Sequence, residues 1–277
     1  MKMLAARKPA AEVKNGSAKV PPVLLKRKPS VELKTAAELQ KMRSAGRVVA
    51  EVLKILESAV KPGISTGELD RLAAEEIAAR GATPAFLGYC GYPAVLCSSI
   101  NEEVVHGIPD KKRLLREGDI VSLDMGAVCG GYYGDAAMTV PVGKISAEAA
   151  RLLEVTKASL AAAIAAVRPG AFLGDVSSAV QSCAESAGMS VVRDFVGHGI
   201  GRHLHEEPAV PNYGEKGSGL RLEPGMTIAI EPMVNAGGWQ VRVLDNGWTV
   251  VTKDESLSAH FEHTVAVTDS GAEILTV

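Results

Sequence analysis

No apolar run in this 277-residue chain reaches the roughly 20 residues needed to cross a bilayer. Its first residues also lack the apolar core, about 7–15 residues long, of a secretory signal. Both absences predict a soluble chain that works in the cytoplasm without membrane contact. Cysteine is scarce: the four at positions 90, 97, 129 and 183 form no Cys-x-x-Cys pair. That excludes a disulfide framework and a thiolate zinc knot, and it predicts reduced thiols. Net charge is nearly absent as well, at −2. What is present, 47% hydrophobic and 22% charged residues, excludes a disordered protein and leaves one large domain or two modest ones.

The small net charge hides an asymmetry. Residues 1–34 hold nine Lys/Arg against Glu12 and Glu32, a balance of +7 that leaves the remainder at −9. This stretch mixes Lys, Arg, Ala and Pro without apolar periodicity and reads as a flexible basic extension. Two roles fit it: a solvated tail, or an electrostatic contact with the ribosome or another RNA.

Order is expected from Thr35. Thr35 and Glu38 have capping-box spacing, and Leu39, Met42, Val49, Leu53 and Leu56 recur at helical intervals up to Ala59. A second helix is expected from Ser65, capped with Glu68, to Gly81, and two more over 146–167 and 173–187. Strands are expected over 94–99, 119–125 and 137–142, with Gly126, Gly130 and Gly131 marking a hairpin. The last third is strand-like again.

An internal repeat underlies this order. Val60-Lys-Pro-Gly-x-x-x-Gly-Glu-Leu69 aligns with Val167-Arg-Pro-Gly-x-x-x-Gly-Asp-Val176 at an offset of 107, which also carries Gly81 onto Gly188, Gly118 onto Gly225 and Asp124 onto Glu231. Two similar halves, each a helix pair with antiparallel strands, would pack about a pseudo-two-fold axis with their sheets joined. Asp124 and Glu231 would each close a buried strand and face each other where the halves meet. Buried carboxylates are costly unless paired or bound to metal.

Asp135, His198 and Glu262 are expected to join that pair. His198 belongs to the stretch Phe195–Pro208, which holds three histidines and is too rich in glycine for an ordinary core strand; its glycines at 197, 199 and 201 would let the backbone take unusual conformations beside a bound group. Four carboxylates and one imidazole form a hard, oxygen-rich set suited to two divalent ions such as Mn, Fe, Co or Zn. Such a centre activates water at neutral pH and polarises a carbonyl, which is hydrolytic chemistry.

Residues 36–277 closely resemble type I methionine aminopeptidase. The resemblance rests on SINEEVVHGIP (99–109), SLDMG (122–126), GYYGDAAMT (131–139), GHGIGRHLHEEP (197–208), AIEPM (229–233) and FEHT (261–264). It implies the pita-bread fold, an α+β arrangement in which pseudo-two-fold-related halves, about 35–142 and 143–277, share a central antiparallel sheet flanked by helices within one catalytic domain, 35–277. It implies metal-dependent removal of the initiator methionine from nascent or newly made chains with a small second residue, by a monomer. Asp124, Asp135, His198, Glu231 and Glu262 would be the metal ligands, with Asp135 and Glu262 bridging both ions. His205 would hydrogen-bond the scissile carbonyl region, His106 would contact the amide nitrogen of the second substrate residue, and Glu231 would pass the nucleophile's proton. The methionine pocket would comprise Phe86, Tyr89, Tyr92, Cys97, His106, Leu204, His205 and Trp248. Phe86 and Leu204 depart from the family's usual residues. Asn101, Glu103 and Ser258 match positions that hold a Na or K ion in some relatives. His203, His260 and His263 inherit no role. The alternatives are a prolidase or aminopeptidase P type hydrolase, and a non-catalytic pita-bread protein that binds RNA or ribosomes.

Overall fold

The computed structural model describes residues 31–277. The basic stretch 1–30, and with it the readings made of that stretch, lies outside the described residues.

Local signals set the helices. In α1 (Ala36–Ala59) the Thr35 hydroxyl accepts from the Glu38 amide while the Glu38 carboxylate accepts from the Thr35 amide. Ser65 and Glu68 do the same for α2 (Thr66–Ala79). Each reciprocal cap satisfies donors that the first turn leaves open. The second pair, α3 (Ala147–Ala166) and α4 (Leu173–Ser186), repeats the first, and α4 begins and ends 107 residues after α2.

In the first half the strands are β1 (Thr83–Pro84), β2 (Cys97–Ile100), β3 (Glu103–Val105), β4 (Ile120–Cys129) and β5 (Tyr132–Pro141). The second half carries β6 (Ser190–Val191), β7 (Gly197–Gly199), β8 (Glu206–Val210), β9 (Thr227–Ile230), β10 (Met233–Asn235), β11 (Val241–Val243), β12 (Val250–Thr252), β13 (Ser258–His260), β14 (Glu262–Thr268) and β15 (Gly271–Ile274). Nine of them form the main sheet in the order β1-β4-β5-β14-β9-β7-β8, with β2 on β4 and β15 on β14. The halves are stitched at its centre, where β14 pairs antiparallel with both β5 and β9.

The helices cover one face of this sheet. Val49, Leu53 and Leu56 of α1 and Leu69 and Ile77 of α2 pack with Val121, Leu123 and Met125 of β4. Leu152 and Leu160 of α3 and Val176 and Val180 of α4 cover Ile228 and Ile230 of β9. Each of these side chains contributes about 1.5–3 kcal/mol on burial. Because side chains alternate along a strand, Asp124 and Glu231 are turned to the opposite face.

Three sequence expectations need correction. Gly126 lies inside β4 rather than in a turn, because a β-carbon there would press on Ala85 and Phe86. The β4–β5 hairpin turns on Gly130 and Gly131 alone, both at positive φ. Asp124 does not close its strand: β4 runs on to Cys129, held by continuous register with β5. Finally, Gly197–Gly199 is a buried strand. Its glycines hold no left-handed conformation; a β-carbon at Gly197 would strike the Ala229 carbonyl, and one at Gly199 the Glu207 carbonyl. Close strand approach, rather than unusual φ, demands them.

Lys34, counted above among the extension's cations, is 6% exposed. Its ammonium meets the Glu206 carboxylate at 2.5 Å, and its backbone amide donates to the Gly225 carbonyl. Removing one partner of a buried pair strands the other charge. Lys34→Met is therefore expected to lower unfolding stability by about 3 kcal/mol in urea titrations, and adding Glu206→Gln should recover most of the loss. No helix among the described residues is long and apolar enough to cross a membrane.

Candidate metal centre

Strand register brings the acids together. Asp124 of β4 stands opposite Ala137 of β5, which stands opposite Glu262 of β14. Asp135 is two residues from Ala137 and shares its face. Two residues beyond Glu262, Thr264 pairs with Ala229 of β9, which pairs with His198 of β7. Glu231 follows Ala229 by two and turns the same way. All five expected ligands thus project from the face opposite the helices, and Ala137 and Ala229 between them leave the space open. The Thr264 hydroxyl fixes the seam: it donates to the Asp135 carbonyl at 2.8 Å and accepts from the Asp135 amide at 3.1 Å.

One ligand atom each from Asp135, His198 and Glu262 lie within 4.8 Å of one another, and all three residues are buried. His198 Nε2 lies 3.9 Å from Asp135 Oδ2 and 3.7 Å from Glu231 Oε1. Its Nδ1, 2.9 Å from the Gly199 carbonyl, donates there and leaves Nε2 bare as an electron-pair donor. Among the described residues, Asp124 Oδ1, Asp135 Oδ1 and Glu262 Oε1 are buried without hydrogen-bond partners. Orphaned carboxylate oxygens converging on one imidazole nitrogen fit divalent cations.

The electrostatics agree. Burial, then the charges of Asp124 and Glu231, raises the Asp135 carboxyl well above its ordinary range. Burial, then Asp135, Glu231 and Asp124, does the same for Glu262. Burial pushes Glu231 up to about 8 and Asp124 up to about 7, the latter against a pull from His260. His198 is held down to about 3, by burial and then by His205, and so stays neutral as a ligand must.

His205 sits at the exposed rim, its ring 4.1 Å from that of His198 and 5.3 Å from that of Tyr89, centroid to centroid. The Tyr89 hydroxyl lies 2.8 Å from His205 Nδ1. Donation from that hydroxyl would select the tautomer with the proton on Nε2, free to donate outward. Desolvation among these rings holds His205 down to about 4. His106 has a left-handed backbone (φ 61°), uncommon outside glycine, and its ring meets Phe195 and Trp248 edge-on. Burial, followed by His260 and His205, lowers it to about 4.

Phe86, Tyr92, Cys97, Leu204 and Trp248 fall into one apolar cluster beside the acids. Cys97 pairs directly with Asp124 across β2 and β4. Tyr92 is fixed by its hydroxyl, which contacts the Leu96 and Gly107 carbonyls. Tyr89 belongs to the rim rather than the cluster, at 37% exposure. Among the described residues all four cysteines are free.

Asn101, Glu103 and Ser258 also come together, the Asn101 carbonyl accepting from the Ser258 amide at 2.8 Å. The Glu103 carboxylate, however, pairs with Arg113 at 2.6 Å and accepts from the Ile100 amide. A monovalent cation there would have to share that charge. His203 is exposed, and His263 turns away from the acids to bond Thr276 at 2.9 Å. His260 is different. Its ring is buried, neither nitrogen has a hydrogen-bond partner among the described residues, and Nε2 stands 3.6 Å from Glu231 Oε2. The sequence carried a signal for it, since a spacing of two from Glu262 on a strand places both side chains on one face.

Residues 40–269 match the metallopeptidase family M24. The chain is 53% identical over 245 residues to a methionine aminopeptidase of Clostridium acetobutylicum, covering 88% of this chain and 98% of that one. It is 51% identical over 243 residues to methionine aminopeptidase 1 of Bacillus subtilis, again covering 88% and 98%. Among solved structures, methionine aminopeptidase from Thermotoga maritima superposes with a TM-score of 0.88 at 49% identity, over 89% of this chain and 99% of that one. A prolidase from Pyrococcus furiosus gives 0.69 at 22% identity, over 88% and 65%, a likeness of fold alone.

Proposed function

The chain belongs to metallopeptidase family M24, among its methionine aminopeptidases, and we propose that it removes the initiator methionine from newly made polypeptides whose second residue is small. Two divalent ions, held by Asp124, Asp135, His198, Glu231 and Glu262, would serve the reaction. When bound, they supply Lewis acidity and a water acidic enough to attack at neutral pH. The observation that carries this reading is the meeting of Asp135, His198 and Glu262 within ligand reach, with Asp124 and Glu231 on the same sheet face, beside an apolar cluster.

The protein's own groups have distinct tasks. The cluster of Phe86, Tyr92, Cys97, Leu204 and Trp248 receives the methionine side chain, which is long, flexible and polarisable and is held by contact area. Phe86 brings bulk and Leu204 branching to that pocket without adding a polar group. The outward Nε2–H of His205, oriented through Tyr89, donates to the scissile carbonyl oxygen as negative charge gathers there. His106, clasped between Phe195 and Trp248, meets the amide nitrogen of the second substrate residue. Glu231, whose carboxylate stands between His198 and His260, would pass the nucleophile's proton.

A peptide panel tests the assignment. Purified protein given Co(II) or Mn(II) is expected to release methionine from a Met-Ala-Ser peptide, to act at least about a hundredfold more slowly on Met-Lys-Ser, and to leave Ala-Pro untouched; a hundredfold corresponds to about 2.7 kcal/mol of discrimination. A chelator should stop all turnover. Cleavage of Ala-Pro without cleavage of Met-Ala-Ser would transfer the assignment to the prolidases.

A further inference from the structure

Glu231 stands between two imidazoles. Its Oε1 lies 3.7 Å from His198 Nε2, on the side of Asp135 and Glu262. Its Oε2 lies 3.6 Å from His260 Nε2, on the other side. His198 is accounted for as a ligand whose Nδ1 is committed to the Gly199 carbonyl. His260 is 1% exposed, and among the described residues neither of its ring nitrogens has a hydrogen-bond partner. A buried imidazole in this condition costs free energy unless it has a partner.

The backbone that carries His260 is held firmly. The Thr139 hydroxyl donates to its carbonyl and accepts from its amide, both at 2.9 Å, and Ser122 supports that hydroxyl from β4 at 2.9 Å. His260 also pairs with Met233 of β10, two residues beyond Glu231. Strands on both sides therefore aim the ring at a carboxylate oxygen that no ligand side chain of the centre engages. Metal-binding carboxylates commonly take a hydrogen bond on the oxygen turned away from the ion, which fixes their orientation.

We propose that His260 is the positioning residue for Glu231: its Nε2–H donates to Glu231 Oε2 and so holds Oε1 on the side of His198, where a cation would be bound. It acts through Glu231 and touches neither metal nor substrate. This rests on the metal-centre reading above, so the test reads metal affinity separately from turnover.

Metal-free protein is titrated with Co(II) by calorimetry, and kcat and KM are measured on the methionyl peptide. His260→Ala is expected to weaken one of the two ions about 10–100-fold while the other changes less than about threefold. In the same variant kcat should fall while KM stays within about twofold. His260→Gln, whose amide N–H replaces the donor, is expected to bind both ions within about threefold of wild type. The proposal is overturned if His260→Ala binds both ions like wild type, if both ions weaken equally, or if His260→Gln binds as poorly as His260→Ala. A wild-type protein that takes up fewer than two ions would instead sink the two-ion reading itself.

Discussion

Glu262→Gln is expected to cut kcat/KM on a methionyl peptide by about a thousandfold or more, with metal content falling below that of the wild type. The side chain sits in the row Asp124, Ala137, Glu262 that crosses the seam between the halves, and one of its oxygens is buried without a partner in the protein. Glutamine keeps the volume, so the fold should survive, but it removes one negative charge and turns an amide N–H toward the cations. Losing one anionic ligand would weaken cation binding at the proposed centre. The lost electrostatic stabilisation is on the order of 4 kcal/mol, which at about 1.4 kcal/mol per decade gives the stated factor. His263→Gln is the matched control. Its neighbouring side chain faces away and bonds only Thr276, so its activity should stay within about twofold of wild type. Activity of Glu262→Gln within tenfold of wild type, with full metal content, would show that this carboxylate is no ligand.

The parts of this molecule that were legible beforehand are those whose cause is local or repeated. Thr35 with Glu38 and Ser65 with Glu68 announce their helices because both halves of each cap lie within four residues. The offset of 107 is visible because selection for the same helix–strand contacts left the same Pro-Gly turns and buried strands in each half. Asp124 and Glu231 stood out since ionised groups are rare in strands with apolar neighbours and the repeat carries one onto the other. What escaped was set by register and distance. The continuation of β4 past Asp124 depends on ten residue pairs with β5. The need for glycine at 197 and 199 depends on which carbonyls the adjoining strands present. Lys34 finds its partner 172 residues away, so its charge read as part of the extension. His260 was hidden by an interruption: β13 and β14 join different sheets around Phe261, so the alternation that links His260 to Glu262 passes through a break and was not followed.

The same crowding of acids predicts an inverted stability profile for the protein stripped of metal. In the unfolded chain these carboxylates ionise near pH 4, whereas in the fold burial and mutual repulsion keep protons on Asp124 up to about 7 and on Glu231 up to about 8. The folded state then binds more protons than the unfolded one across that window, so stability is full below about pH 4 and drains away as pH rises through 7 and 8. Each pH unit over which one such group is protonated only in the folded chain removes about 1.4 kcal/mol, and several groups act together. His198, His205 and His106, held down to about 3, 4 and 4, act the other way, because up to about pH 6.5 they bind protons only in the unfolded chain. Denaturant midpoints of the metal-free protein are therefore expected to fall between about pH 7 and pH 8, where the acids act alone, opposite to the behaviour of proteins whose carboxylates are salt-bridged. Cations reverse the slope, because they replace those protons on the folded state alone and bind more tightly as pH rises. A hundredfold excess of Co(II) over its dissociation constant adds about 2.7 kcal/mol, and the protein should release protons as it binds. A metal-free midpoint that is flat or rises from about pH 7 to pH 8 would mean that the acids are solvated or separately paired, and the shared centre would be lost with them.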